Sequence, residues 1–300
     1  MRVFVTGASG WVGSAVTKDL IAAGHQVVGL ARSDAGAASV AAAGAEVLRG
    51  SLEDPDSLRP GTARVDGVIH TAFSHDFSKF AQNGEDEKRA IAVLVEELAG
   101  SGRPLVVTSG VAFLPRGRLA TEDDTVPPGA THVPRDPETP TLVAAKSGIR
   151  SSLVRLSPTV HGDGDHGFVS ALVTIAREKG VSAYVDEGLN TWPAVHRFDA
   201  AKLFRLALES GVAGTRYHAV AEEGIPFRDI GAAIGRGLNL PVVSKSAEDA
   251  AEHFGWFARF AAIDCRASSA KTQASLGWTP TQAELIQDLE QGHYFDGRQL

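Results

Sequence analysis

The sequence predicts an α/β protein with a doubly wound parallel sheet and a smaller C-terminal lobe. Three observations predict it. Short β-branched apolar runs alternate with longer helical patterns through roughly the first hundred residues. A glycine-punctuated turn joins the first run to the first helix, and the alternation loosens after the run ending near residue 108.

Residues 2–6 read as the first strand, 11–23 as a helix, 25–30 as a strand, 36–43 as an alanine-rich helix and 46–49 as a strand. Strands at 66–70 and 104–108 flank a charged, alanine-containing helix over 86–98. The proline-rich stretch 113–141 reads as a long loop, of the kind that forms one wall of a cleft. Later strands are expected at 152–156 and 215–220, and helices at 168–179, 200–209, 227–238, 247–259 and 282–293. The expected division is a dinucleotide-binding domain over 1–160, with 190–212 returning to it, and a lobe for a small-molecule substrate formed mainly by 161–300.

The strongest signal is Val3-Phe4-Val5-Thr6-Gly7-Ala8-Ser9-Gly10-Trp11-Val12-Gly13, a strand running through a glycine turn into a helix. Gly7 permits the tight turn, Gly10 lets the backbone approach a pyrophosphate, and Gly13 allows helix and strand to pack closely. Backbone amides at the helix start then face the phosphate charge. This is the phosphate-binding corner of a Rossmann-type unit. At the end of the second strand an acidic residue would bind the ribose hydroxyls of NAD, but the chain reads Gly29-Leu30-Ala31-Arg32-Ser33. A guanidinium and a hydroxyl there suit a 2′-phosphate, so the expected cofactor is NADP(H). The competing reading of Arg32 is a solvated charge beside an acidic partner, and Asp34 lies too far along the chain to be that partner.

These residues resemble the short-chain dehydrogenase/reductase superfamily, in its extended or atypical branch of epimerase/dehydratase-like proteins, over nearly the whole chain. Gly50-Ser51-Leu52-Glu53-Asp54 is similar to the adenine-contacting "GDLxD" segment, with Ser51 in place of its aspartate. Val68-Ile69-His70-Thr71-Ala72 resembles "VIHxAA", Val107-Thr108-Ser109 resembles the "TSS" strand end, and Arg155-Leu156-Ser157-Pro158-Thr159-Val160-His161-Gly162 resembles "RPxxVYG". Val195-His196-Arg197-Phe198-Asp199-Ala200-Ala201 is similar to "VHVDDVA". The resemblance implies cofactor contacts at Gly7, Ser9, Gly10, Trp11, Val12, Gly13, Arg32, Ser33, Leu52, Thr71, Ala72, Thr108 and Pro158. The family's Tyr-x-x-x-Lys pair is absent: Tyr184, Tyr217 and Tyr294 are the only tyrosines, and none has lysine four residues on. Lys146 lies too near the 152–156 strand to stand for the lysine, and the usual catalytic serine aligns with Gly110.

Hydride transfer needs an oriented substrate and some proton source, so other side chains become the catalytic candidates. His75, followed by Asp76, stands after the 66–70 strand, where a carboxylate would hold the imidazole charged. His161 takes the place of the motif tyrosine, and Ser109 or Thr108 would hydrogen-bond a carbonyl oxygen as an orienter. The run His161-Gly162-Asp163-Gly164-Asp165-His166 invites a metal reading, but it lacks a second ligand cluster and reads as a substrate-side loop; no metal is expected. His196 with Asp199 reads as a helix cap, and the aromatics at 254–260 as core or cleft wall.

Composition narrows the classes further. With 300 residues, 29 basic and 36 acidic side chains and a net charge of −7, the chain lacks a basic field for nucleic acid. Cys265 is the only cysteine, which excludes an internal disulfide and four-thiolate zinc. No apolar run of spanning length and no secretion-signal pattern is present, so a cytoplasmic protein without membrane contact is expected, with a homodimer as the candidate assembly. The expected activity is an NADP(H)-dependent reductase or dehydrogenase of a small carbonyl or alcohol compound. Two alternatives remain open: a non-catalytic NADP-binding redox sensor, and an epimerase or dehydratase that keeps its cofactor bound.

Overall fold

The computed structural model of the protein describes residues 1–126 and 135–296. In chain order its elements are β1 (Arg2–Thr6), α1 (Trp11–Ala22), β2 (Gln26–Ala31), α2 (Asp34–Ala42), β3 (Glu46–Arg49), α3 (Arg59–Thr62), β4 (Gly67–His70), α4 (Phe80–Leu98), β5 (Pro104–Gly110), α5 (Glu138–Ala144), β6 (Arg150–Leu156) and β7 (Thr159–His161). The second half contributes α6 (Phe168–Lys179), β8 (Ser182–Val185), β9 (Thr191–His196), α7 (Arg197–Ser210), β10 (Arg216–Ala219), β11 (Glu222–Pro226), α8 (Phe227–Leu238), β12 (Val242–Lys245), α9 (Ala247–Phe254), α10 (Ala258–Ala261), α11 (Ala270–Leu276) and α12 (Leu285–Glu290).

Seven strands form one sheet in the order β3-β2-β1-β4-β5-β6-β10, every pair parallel. Strand order reverses direction between β1 and β4, so the crevice outside their carboxyl ends is the ligand-binding position of a doubly wound sheet. Alternation along β1 sets the two core faces. Val3 and Val5 meet Val16 and Leu20 of α1 and Leu203, Phe204 and Leu208 of α7, whereas Phe4 meets Ile91 and Leu94 of α4. Each such fully buried large side chain contributes about 1.5–3 kcal/mol. The smaller lobe carries a three-stranded sheet, β11-β9-β7, and the parallel pair β12-β8, closed over an aromatic core that includes Trp192, Phe227 and Phe257.

Four expectations need correction. Arg216–Ala219 pairs with β6 and is the seventh strand of the main sheet, so the return to the first domain is not confined to 190–212. Trp278 also lies fully buried in the core around α1 and α7. The helix expected at 86–98 begins at Phe80, and the one expected over 247–259 stops at Phe254, because Gly255 takes φ +55. Within the stretch expected as loop, Glu138–Ala144 is a helix whose Pro137 is the N-cap and whose Pro140 lies in the first turn, where a proline costs no internal hydrogen bond. Residues 127–134 of that stretch lie outside the described residues. Among the described residues no helix is long and apolar enough to cross a membrane.

Candidate functional site

The glycine turn sits at the carboxyl end of β1. Gly7 adopts φ +69, and a Cβ on it would come within 2.8 Å of the Ala72 backbone nitrogen; only glycine combines that dihedral with that approach. A Cβ on Gly13 would meet the Gly7 carbonyl oxygen at 2.0 Å, so the first turn of α1 is packed directly onto the strand end. The Gly10 amide donates to the Gly7 carbonyl at 2.8 Å and closes the turn. Gly10 is also the N-cap of α1, with no side-chain cap and no acidic residue in the first turn. The helix therefore presents its first amides without an internal anion, as a bound diphosphate requires. Trp11 turns its side chain away, its Nε1 donating to the Val160 carbonyl at 2.8 Å, while Val12 packs against the core.

At the end of β2, Ser33 caps α2 by accepting from the Gly36 amide at 3.1 Å. A Cβ on Gly36 would lie 3.2 Å from Ser9 Oγ and 3.3 Å from Ser33 Oγ, so the glycine turn and the β2 end bring two hydroxyls to one point. Arg32, the residue before Ser33, has its side chain 71% exposed, and its acidic neighbour is Glu53 at 3.3 Å. An exposed pair of that length contributes at most about 1 kcal/mol, which leaves the guanidinium available to a stronger anion. Asp34 is held by Arg49 at 2.9 Å. Glu53 sits below the usual carboxylate range through its own backbone amide, against a smaller opposing effect of burial, and through Ser51 and Arg32. Leu52, in the same segment, packs against the core beside Leu30 and Leu58.

Strands β4 and β5 end next to this turn. Thr71 Oγ1 donates to the Thr6 carbonyl at 2.8 Å, and the Ala72 amide reaches Thr6 Oγ1 at 3.3 Å, locking the two strand ends together. Thr108 Oγ1 donates to the His70 carbonyl at 2.8 Å. Pro158 is half-buried between β6 and β7. The cofactor candidates thus lie on the carboxyl ends of consecutive strands, and the residues present fit a dinucleotide: a tight glycine turn, uncapped helix amides, two hydroxyls and an exposed guanidinium.

The catalytic candidates fare differently. Ser109 is only 5% exposed, and its hydroxyl donates to Glu138 Oε1 at 2.8 Å. Glu138 also accepts from the fully buried Arg155 at 2.7 and 2.6 Å; although burial works in the opposite sense, Arg155 keeps its carboxyl below the usual range. Successive β5 residues face opposite ways, so Ser109 points into this ion pair while Thr108 serves the strand end. His161 is 1% exposed, with Nδ1 2.8 Å from the buried Asp288. Both side chains expected to meet a substrate are spent on buried partners. His196 Nδ1 caps α7 through the Phe198 amide at 3.3 Å, and Asp199 accepts from the Thr281 and Gln282 amides. Lys146 is exposed beyond the end of α5.

His75 keeps part of its surface open to solvent while its ring packs edge-on to Phe73 at 5.4 Å between centroids. The expectation that Asp76 holds it charged is reversed. Asp76 Oδ1 accepts from the Ser78 amide and hydroxyl, and the His75 pKa is lowered, first by partial burial and then by the Arg135 and His166 charges. The sequence also gave no sign of a buried cluster below Phe73. Arg135 stacks on Phe73 at 4.1 Å and donates to Glu87 Oε1 at 2.8 Å and to the Thr108 carbonyl at 3.1 Å. Burial pushes the Glu87 carboxyl up to about 7 and His70, with Arg135 adding to the effect, down to about 3. Glu87 is hidden in the charged run of α4, and Arg135 in a proline-rich stretch with no motif, so neither could be picked out by spacing.

Comparison with known proteins agrees with this geometry. The NAD(P)H-binding domain family matches residues 7–123. An uncharacterized protein of Schizosaccharomyces pombe is 51% identical over 98% of this chain and 100% of its own length. A 4-hydroxy-2-methyl-3-oxo-4-farnesyl-3,4-dihydroquinoline-1-oxide ketoreductase of Stigmatella aurantiaca is 29% identical over 72% of this chain and 67% of its own. A solved nucleoside-diphosphate-sugar epimerase from Pseudomonas aeruginosa shares the fold, with a TM-score of 0.78 at 18% identity, covering 97% of this chain and 96% of that one.

Proposed function

We propose, on the premise that the chain belongs to the NAD(P)-binding short-chain dehydrogenase/reductase superfamily in its epimerase/dehydratase-like branch, that it is an NADP(H)-dependent reductase of a small carbonyl compound. The observation that carries the cofactor choice is the convergence of Ser9 and Ser33 on Gly36 beside the exposed Arg32. Arg32 and Ser33 at the end of β2, with Ser9 from the glycine turn, are three donors that suit a ribose 2′-phosphate, and the β2 end offers no diol-binding carboxylate of its own. When bound, the dinucleotide supplies the hydride that reduces a carbonyl carbon to an alcohol, one proton being added to its oxygen. The chain's own contribution is positioning and that proton. Thr108, fixed by the His70 carbonyl at the end of β5, would help position the substrate, and His75 on the loop after β4 is the residue we assign to the proton. With its pKa lowered, His75 is mainly neutral at pH 7, suited to relaying a proton between solvent and substrate oxygen.

Calorimetry with NADPH and NADH tests the first half. NADPH is expected to bind more tightly, and Arg32→Ala to remove about tenfold or more of that preference, the size of a lost charge-assisted hydrogen bond. A wild-type preference for NADH would overturn the assignment of Arg32. The second half is tested by NADPH absorbance across aldehydes, ketones and imines, with His75→Ala slowing the best substrate about a hundredfold. Silence across all three classes would favour the alternative, a non-catalytic redox sensor, which one observation supports: Ser109 and His161 are both committed to buried partners.

A further inference from the structure

A line of aromatic rings leads from the glycine turn into the smaller lobe. Trp11, at the start of α1, meets the His166 ring edge-on at 5.5 Å. Two residues later Phe168 opens α6 and packs on Phe260 at 4.7 Å, and Phe260 in turn lies 6.0 Å from Trp256. Trp256 is 58% exposed although it belongs to a lobe whose other tryptophan, Trp192, is buried. On the other side, Ala112, just past the carboxyl end of β5, packs against the apolar core of the smaller lobe, against which Phe168 and Phe260 also pack. The segment after β5 is fastened to the smaller lobe through Ala120, whose amide donates to the Arg266 carbonyl at 3.0 Å and whose carbonyl accepts from Ser268 at 2.8 Å. The rings therefore belong to the wall where the smaller lobe meets the strand ends that hold the cofactor candidates.

We propose that this wall, from His166 through Phe168 and Phe260 to Trp256, is the substrate subsite and that it selects an uncharged aromatic carbonyl compound. The inference rests on the reductase reading and narrows it. Phe168, Phe260 and Trp256 already pair in tilted and edge-on arrangements at 4.7 and 6.0 Å, and Trp256, 58% exposed, presents apolar ring surface to which an incoming ring adds in the same edge-on or offset manner. An apolar wall rewards desolvation of a flat apolar body, whereas the diphosphate of a nucleotide-linked sugar would have to be stripped of water against these rings.

The test is calorimetry on full-length protein saturated with NADP⁺, titrated with 2-acetylnaphthalene and, separately, with UDP-glucose. The aryl ketone is expected to bind and UDP-glucose not to. Trp256→Ala and Phe168→Leu should each weaken the ketone about tenfold, the worth of one lost aromatic contact with its buried area, while the heat of NADP⁺ binding stays unchanged. Trp256 is exposed, so its replacement leaves the fold intact even if Phe168→Leu does not. Absence of ketone binding, ketone binding untouched by Trp256→Ala, or tighter binding of UDP-glucose would each overturn the subsite while NADP⁺ still binds. No heat from NADP⁺ itself is the separate failure of the cofactor reading.

Discussion

Two edges of the molecule that the sequence treats alike are built on different principles. The cofactor edge, at the ends of β1, β2 and β4, works through backbone: a left-handed glycine, a helix start without a cap, and amides and hydroxyls set by residues close in sequence. The cleft side, past β5 and β7, was expected to work through side chains, and there Ser109 finds Glu138, 29 residues on, and His161 finds Asp288, 127 residues on. Geometry carried by the backbone is specified by neighbouring residues and is found in the fold as the sequence predicts it. Function assigned to a polar side chain depends on whether a distant partner captures that side chain first, because a buried polar group must be satisfied.

The sharpest way to break the first half of that contrast is Gly13→Ala. Its new methyl would sit 2.0 Å from the Gly7 carbonyl oxygen, a backbone atom that cannot swing aside. The helix must then lift from β1. Urea unfolding is expected to show a loss of about 3 kcal/mol, with NADPH binding lost in calorimetry. Near-wild-type stability with normal binding would mean that the close packing of turn and helix is not what forms the site.

The second half is sharpened by Glu87, a buried carboxyl that no motif announced. Its pKa is raised by burial from the ordinary 4.5 to about 7, so between those values the folded protein holds a proton that the unfolded chain has released. Stability from this group is therefore fully present below about pH 4.5 and lost as pH rises to about 7. Glu87→Gln removes the titration. Relative to the variant, the wild type should lose stability between pH 4.5 and 7 and change no further above it, as read by urea unfolding at pH 5, 6, 7 and 8. The lowered pKa of His70 acts in the opposite sense, adding stability as pH rises from about 3 to 6.5, and because its Nε2 lies 4.0 Å from Glu87 Oε1, a double-mutant cycle with His70→Gln separates the two titrations. A flat difference would show that Arg135 keeps Glu87 ionised throughout.

The same contrast explains what could be read from the chain. The expected limits of β1, β3, α6 and α8 are those observed, because each carries a clean period and a turn residue at its ends. Strands β7, β8, β9, β11 and β12 went unseen. They are three to six residues long, and β9, TWPAVH, contains a proline that argues against a strand; Pro193 is accommodated because the β11 register shifts opposite it, between Glu222 and Ile225. The first six residues of α4 were missed because Asn83 and Gly84 weaken helix propensity, while burial of Asn83 against the Ser74 and Asp76 carbonyls offsets that cost. For the site, the glycine turn and the β2 end were legible because their chemistry lies within consecutive residues. Glu53 beside Arg32, and Arg135 on Phe73, were not, since each pairing is made only when separate loops reach the same sheet edge.

The smallest expected effect is the most informative about the cleft. Ser109→Ala removes one hydroxyl from Glu138, whose Oε1 still accepts from Arg155 Nε at 2.7 Å and whose Oε2 accepts from Nη2 at 2.6 Å. The carboxylate keeps its charge partner, so the loss should be near a single net hydrogen bond, about 1 kcal/mol, in urea unfolding. If Ser109 serves the ion pair, turnover of the best substrate found should stay within about threefold of wild type, since no interaction made only in the transition state has been removed. If it orients a carbonyl oxygen, kcat should fall about a hundredfold while KM and stability barely move. The two roles predict opposite patterns in the same pair of measurements, so a variant that folds well and turns over poorly would return Ser109 to the chemistry and erase the distinction between the two edges.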